Sequence, residues 1–163
     1  MKFIRTFFIF AIGLFTAVIL YPFLHESGHS LLAIALGGKI TEFNLFPLPN
    51  IVCNVTGLEA RTVAFIGLGG LLFPLIFTVL VNIKNFWVWL IGIYISFITL
   101  LSYLISLYSC IAYAYGTPVV NEDVTQIIDL YPNAFSGLII LLIALMGIVV
   151  FQVAKSKGLQ RYL

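Results

Sequence analysis

Charge is what this sequence lacks most: charged side chains make up 9% of its 163 residues, against a hydrophobic share of 62%. A soluble domain carries about a quarter charged residues, so no water-facing shell for a globule of this length can be built here. Basic residues are few and scattered, eight in all, with a net charge of +2. That leaves no stripe for tracking phosphates and excludes nucleic acid as a partner. Cysteine is scarce too. Cys53 and Cys110 are too few and too far apart for a cysteine zinc module, and read as a disulfide or as two buried thiols. Internal repeats, low-complexity tracts and flexible linkers are absent. The remaining class is an all-α integral membrane protein, one membrane-embedded domain over 1–163, because four spans of about 20 residues use half the chain or more.

The first apolar run follows Met1, Lys2 and Arg5 and continues from Phe7 to Leu24. Basic residues before an apolar stretch suggest a signal peptide, but the stretch lacks an A-x-A cleavage site and exceeds a usual signal core, so it reads as retained. Helical composition resumes beyond Pro22 as far as Leu36, where Gly37 and Gly38 supply a left-handed cap. A helix over 3–36 would be about 50 Å long against about 30 Å of hydrocarbon, so it must tilt, protrude or bend, with Pro22 as the expected bend. Lys39 to Thr56 is rich in strand formers (Ile40, Phe43, Leu45 and Phe46, then Ile51, Val52 and Val55) interrupted by Pro47-Leu48-Pro49-Asn50. It predicts a short β-hairpin or two extended segments. Further spans are expected over about 62–83, 86–108 and 134–154. The second carries Gly67, Gly69, Gly70 and Pro74, favouring close helix contact. The third is bracketed by Trp87 and Trp89 at one end and Tyr108, Tyr113 and Tyr115 at the other, as interfacial aromatics. With four spans the termini and Lys84 share one side. Six of the eight basic residues lie there, so the positive-inside rule predicts cytoplasmic termini in a multi-pass protein of the cell membrane, with the hairpin and the 116–133 loop outside.

The only two histidines of the chain are His25 and His29, with Glu26 after the first: His25-Glu26-Ser27-Gly28-His29. Two histidines placed at random would land four apart with an acid next to the first about once in a few thousand trials, so this H-E-x-x-H match is specific. Positions i and i+4 share a helix face, and both imidazoles can converge on one zinc ion. Glu26 lies beside that face, placed less to ligate than to take a proton from an attacking water. The competing reading is a polar turn with satisfied histidines. It would leave an unpaired acid in an apolar helix, at a cost of about 3 kcal/mol near the bilayer centre.

The stretch His25 to Gly38, HESGHSLLAIALGG, resembles the site-2 protease family of intramembrane zinc metalloproteases: the histidine pair, a glycine just before the second histidine, and a small-residue helix ending in glycines. The resemblance implies a third zinc ligand, an aspartate in a distant P-x-x-x-L-D-G-like segment. Here Pro118-Val119-Val120-Asn121-Glu122-Asp123-Val124 puts Asp123 at the matching distance, with Glu122 where leucine is usual and Val124 where glycine is usual. Ligand chemistry points to the same region. The carboxylates are Glu26, Glu42, Glu59, Glu122, Asp123 and Asp129, and all but Glu26 lie in the two segments that parity puts on one side. Asp123 would open a short helix capped by Asn121 and running to Leu130; Glu122 and Asp129 are the alternative ligands.

The hairpin has two readings, an unpaired edge that adds an extended substrate as another strand, as family members are thought to do, or an amphipathic connector on the lipid surface. Ser96, Thr99, Ser102, Ser106, Ser109 and Tyr113 make one face of the third span polar, either as interhelical glue or as the lining of a water path. The expected activity is that of a zinc-dependent intramembrane endopeptidase, with His25, His29 and Asp123 holding Zn2+ and Glu26 as the base. Its expected partners are a membrane-protein or signal-peptide-like substrate, the lipid bilayer and a regulatory membrane protein. The alternative is a non-catalytic scaffold that binds membrane proteins; a metal carrier is disfavoured by the lack of further intramembrane acids along a path.

Overall fold

The computed structural model describes residues 2–44, 47–120, 122–156, 158 and 161. It is mostly helical, with four long apolar helical stretches, Phe3–Ala35, Ala60–Asn82, Phe86–Ala114 and Pro132–Ala154, each long enough to cross a bilayer. A two-stranded antiparallel hairpin follows the first.

The first stretch is two helices, α1 (Lys2–Phe15) and α2 (Tyr21–Ala35), joined by one wide π-type turn over Thr16–Leu20. The cause is Pro22. It has no N–H to give the carbonyl four residues back, and its ring crowds that carbonyl. Widening the preceding turn, with Tyr21 N–H donating to Thr16 O, relieves both faults without ending the helix. The irregularity therefore lies in the turn before Pro22 rather than at it. At the far end Gly37 has φ of 96° and Gly38 N–H bonds Ala33 O at 2.7 Å, the left-handed ending that only glycine adopts cheaply.

Strands β1 (Lys39–Asn44) and β2 (Asn50–Asn54) pair with Phe43 opposite Ile51 and Ile40 opposite Cys53, with a bulge at Thr41. Leu45 and Phe46 lie outside the described residues. Helix α3 (Ala60–Phe77) passes into a 3-10 segment over Thr78–Asn82. Helix α4 runs over Phe86–Ala114 and ends six residues beyond the expected Tyr108. Tyr108 is 64% exposed and lies within α4 rather than at its end. Nor is Trp89 an interfacial anchor: it is buried, its indole N–H donating to Ser156 Oγ at 3.2 Å.

The polar 116–133 segment contains a helix of its own, α5 (Asp123–Leu130), followed by a 3-10 turn over Pro132–Ala134 and helix α6 (Phe135–Ala154). Two side-chain bonds fix the direction of α5: Ser106 Oγ donates to Glu122 Oε1 at 2.7 Å and Tyr113 OH donates to Asp129 Oδ1 at 3.0 Å, both sixteen residues apart. Equal spacing means α5 runs parallel to α4. The chain leaving α4 must turn back along it for about 12 Å, the eight residues from Ala114 to Ser106, before α5 climbs out again. Such a re-entrant segment is tolerated at depth only inside protein. Here Val124, Ile127 and Ile128 bury themselves in the main core with Leu71, Tyr103, Cys110, Leu138 and Leu142. Cys53 and Cys110 are free thiols.

Candidate metal centre

Helix α2 meets α3 backbone to backbone at one pair of glycines. A Cβ added to Gly28 would land on the Gly69 carbonyl oxygen, and one added to Gly69 would land on the Gly28 carbonyl oxygen. This is the small-residue contact by which helices approach closely where water supplies no driving force. The next glycine, Gly70, faces the imidazoles: its Cβ would sit 2.6 Å from His25 Cε1 and 2.7 Å from His29 Cε1. Both histidines are thus pressed against bare α3 backbone.

On their other side lies the start of α5. Asp123 Oδ2 is 3.0 Å from His25 Nε2 and 3.3 Å from His29 Nε2, and the two Nε2 atoms are 3.2 Å apart. Glu122 and Asp129, the other acids weighed as ligands, are engaged elsewhere, on Ser106 and Tyr113. Asn121, expected to cap α5, lies outside the described residues; the side chain that caps the helix is that of Glu122, whose Oε2 accepts from Val124 N at 2.8 Å and Thr125 N at 3.2 Å.

The donor set suits a metal ion. His29 Nδ1 is 3.0 Å from Ile66 O, a contact that needs the proton on Nδ1 and, in the neutral ring, leaves Nε2 with a free lone pair. That lone pair, the other imidazole nitrogen and a carboxylate oxygen crowd one point. The three atoms are held together either by a ring N–H, such as His25 Nε2–H toward Asp123, or by a shared metal ion. Ligands of a tetrahedral zinc at about 2.0–2.1 Å stand about 3.3 Å apart, close to the spacings found, so His25, His29 and Asp123 form a group that could hold a metal ion. His25 Nδ1 is buried and has no partner among the described residues. Burial alone would raise the Asp123 carboxyl, but the hydrogen-bonding positions and charge of the two imidazoles outweigh it and hold the group well below the usual carboxylate range.

Glu26 stands beside the triad and outside it. Its Oε2 accepts from the backbone N–H of Ile51 in β2 at 3.3 Å, and with His29 and Asp123 it lines a cavity of about 350 Å³. The remaining wall is largely aliphatic: Ile51 and Val55, Val63 and Ile66 of α3, Ile127 and Leu130 of α5. Since Ile51 N–H points away from β1, period-two alternation turns the backbone groups of Cys53 the same way, so the unpaired edge of β2 faces α2 and this cavity. Of the polar stripe on α4, Ser106 and Tyr113 tie α5 down, while Ser96 and Ser109 turn back on the carbonyls of Gly92 and Ile105.

Comparison with protein-family models, with curated proteins and with solved structures finds no match to this chain. Gly70, expected with Gly67 and Gly69 to flank the cleft, stands behind both imidazoles. Three features of the centre were not read from the sequence: the Ile66 carbonyl on His29, the Ile51 N–H on Glu26, and the Glu122 tie to Ser106. Only the last left a signal, because Ser106 belongs to the polar stripe; the others are main-chain contacts that no side-chain pattern announces.

Proposed function

We propose that this chain is a zinc-dependent intramembrane endopeptidase, with His25, His29 and Asp123 holding zinc and Glu26 as general base. The observation that carries the reading is the placement of Glu26. It is a carboxylate outside the triad, on the wall of the same cavity, oriented by a strand whose free edge borders that cavity. A purely structural metal site has no use for such a group.

Bound at the triad, zinc would polarise a scissile carbonyl and acidify a water beside it. The chain's own residues supply the rest. The β2 edge offers backbone donors and acceptors to an extended substrate, and the aliphatic wall takes its side chains. Glu26 accepts a proton from the attacking water as the new C–O bond forms, then delivers it to the amine nitrogen as the C–N bond breaks. Counting about 30 Å of hydrocarbon along α4 from Trp87 ends near Leu107, next to Ser106 and hence level with Asp123. The bond cut would lie near the membrane surface, in a membrane-spanning or signal-peptide-like segment that must unwind there. In this reading the termini are cytoplasmic and the triad opens to the opposite face of the cell membrane.

Glu26→Gln keeps the Ile51 contact and removes the base. Cleavage of a membrane-embedded reporter should fall by about 10²–10⁴-fold with zinc still bound. Cleavage at the parent rate would overturn the reading.

A further inference from the structure

Asp123 comes from a segment nearly a hundred residues from the histidines, on a re-entrant chain with about two helical turns to steady it. Its position depends on what holds the start of α5. On the α3 side the packing is apolar, with Ile127 so close to Gly67 that a Cβ there would meet Ile127 Cγ1 at 2.8 Å. Apolar packing sets how near α5 lies but resists sliding and rotation only weakly. The directional constraint is Glu122. Its two oxygens face opposite ways: Oε2 takes the first free N–H groups of α5, and Oε1 takes the hydroxyl of Ser106, which is 2% exposed in α4. One side chain therefore joins the helix that begins at Asp123 to the wall of the bundle, one residue before the carboxylate that meets both imidazoles.

Glutamate is an unusual choice for this job, since helix caps favour shorter side chains that reach their own backbone more easily. A longer one is required only if it must also reach α4. We propose that Glu122 is a positioning residue: with Ser106 it forms a latch that holds Asp123 at the histidine pair, and the affinity of the centre for metal is set in part from α4. This rests on the metal-site reading above.

Glutamine preserves the latch, because its amide oxygen can cap α5 while its NH2 group donates to Ser106 Oγ, reversing one bond without losing it. Alanine removes both arms. The test measures zinc affinity by chelator competition and the visible spectrum of the cobalt-substituted protein for the parent, Glu122→Ala, Glu122→Gln and Ser106→Ala, all purified in detergent as the full chain. Loss of an outer-shell tie costs about tenfold to a hundredfold in metal affinity. Glu122→Ala should show that loss with a changed cobalt spectrum, Ser106→Ala a smaller loss, and Glu122→Gln parent-like values within about threefold of the latched protein. Reporter cleavage should follow in kcat with KM unchanged. If Glu122→Gln fails as completely as Glu122→Ala, the carboxylate is itself a ligand and the latch is wrong. A Glu122→Ala protein that binds zinc as tightly as a zinc-binding parent overturns the latch alone. A parent that binds no zinc overturns the metal reading and the latch with it. Ser106→Ala leaves the α5 cap in place, so it still reports if Glu122→Ala does not fold.

Discussion

The two ends of this bundle are both tied by buried polar groups, and they are tied differently. At the end away from the hairpin, Trp89 Nε1 donates to Ser156 Oγ, Ser156 Oγ donates to Val81 O, and Thr78 bonds Gln152. The indole N–H and both hydroxyls there each meet an acceptor. At the hairpin end two imidazole nitrogens and a carboxylate oxygen converge at 3.0, 3.2 and 3.3 Å, and a second acid, Glu26, faces a cavity. Both clusters are polar, partly or fully buried and built from side chains far apart in sequence. What separates glue from a candidate site is the donor set: the first cluster is built of hydroxyl, indole, amide and carbonyl groups, and the second is a group that could hold a metal ion.

The sharpest way to break the comparison is to remove acceptors from one end only. His25→Ala, His29→Ala and Asp123→Ala should each abolish the roughly one zinc per chain expected of the purified parent, measured by metal analysis after dialysis. Retention of stoichiometric zinc by the histidine variants would make the hairpin end another saturated cluster.

The sequence makes part of this difference legible. His25, Glu26 and His29 announce themselves because a helical spacing of four needs no tertiary information. Asp123 is reachable only by joining a motif resemblance to the parity of the spans, since its partner helix lies far along the chain. The course of α5 is not legible: Tyr108 looks like an interfacial stop, but α4 continues to Ala114, and only the Ser106 and Tyr113 bonds reveal that the following chain doubles back. That Glu122 caps α5 is not legible either, since propensity favours shorter caps and the reach of Glu122 to Ser106 is a tertiary contact. The wide turn before Pro22 is likewise a compromise that composition cannot display. The cluster Gly67, Gly69 and Gly70 signals close approach, without saying which glycine meets a backbone and which meets the imidazoles.

That last distinction gives a prediction of intermediate size. Gly70→Ala would put a methyl within contact distance of both imidazoles, whereas Gly147, on α6, has nothing within 4 Å of its added Cβ. Forcing atoms into a packed site costs about 1–3 kcal/mol, which is roughly tenfold to a hundredfold in affinity if the histidines must move to absorb it. Zinc binding should weaken by that factor in Gly70→Ala and stay at the parent value in Gly147→Ala. Equal affinity in both would mean that the imidazoles are not held against α3.

The smallest effect is expected at the closed end. Ser156 is 1% exposed and serves as both the acceptor for Trp89 and the donor to Val81, so Ser156→Ala removes both of these buried bonds. In an aqueous core that would cost about 1–3 kcal/mol. Within a bilayer the unfolded reference finds other partners, and measured interhelical bonds average about 0.6 kcal/mol, so a loss of about 0.5–2 kcal/mol is expected in detergent-unfolding titrations. Zinc affinity should be unchanged, because the bonds removed lie at the far end of α4 and α6 and share no residue with the triad. A Ser156→Ala protein that loses stability but keeps its zinc would separate the two ends energetically. One that loses zinc as well would show that the bundle transmits strain along α4, and that the two clusters are one device.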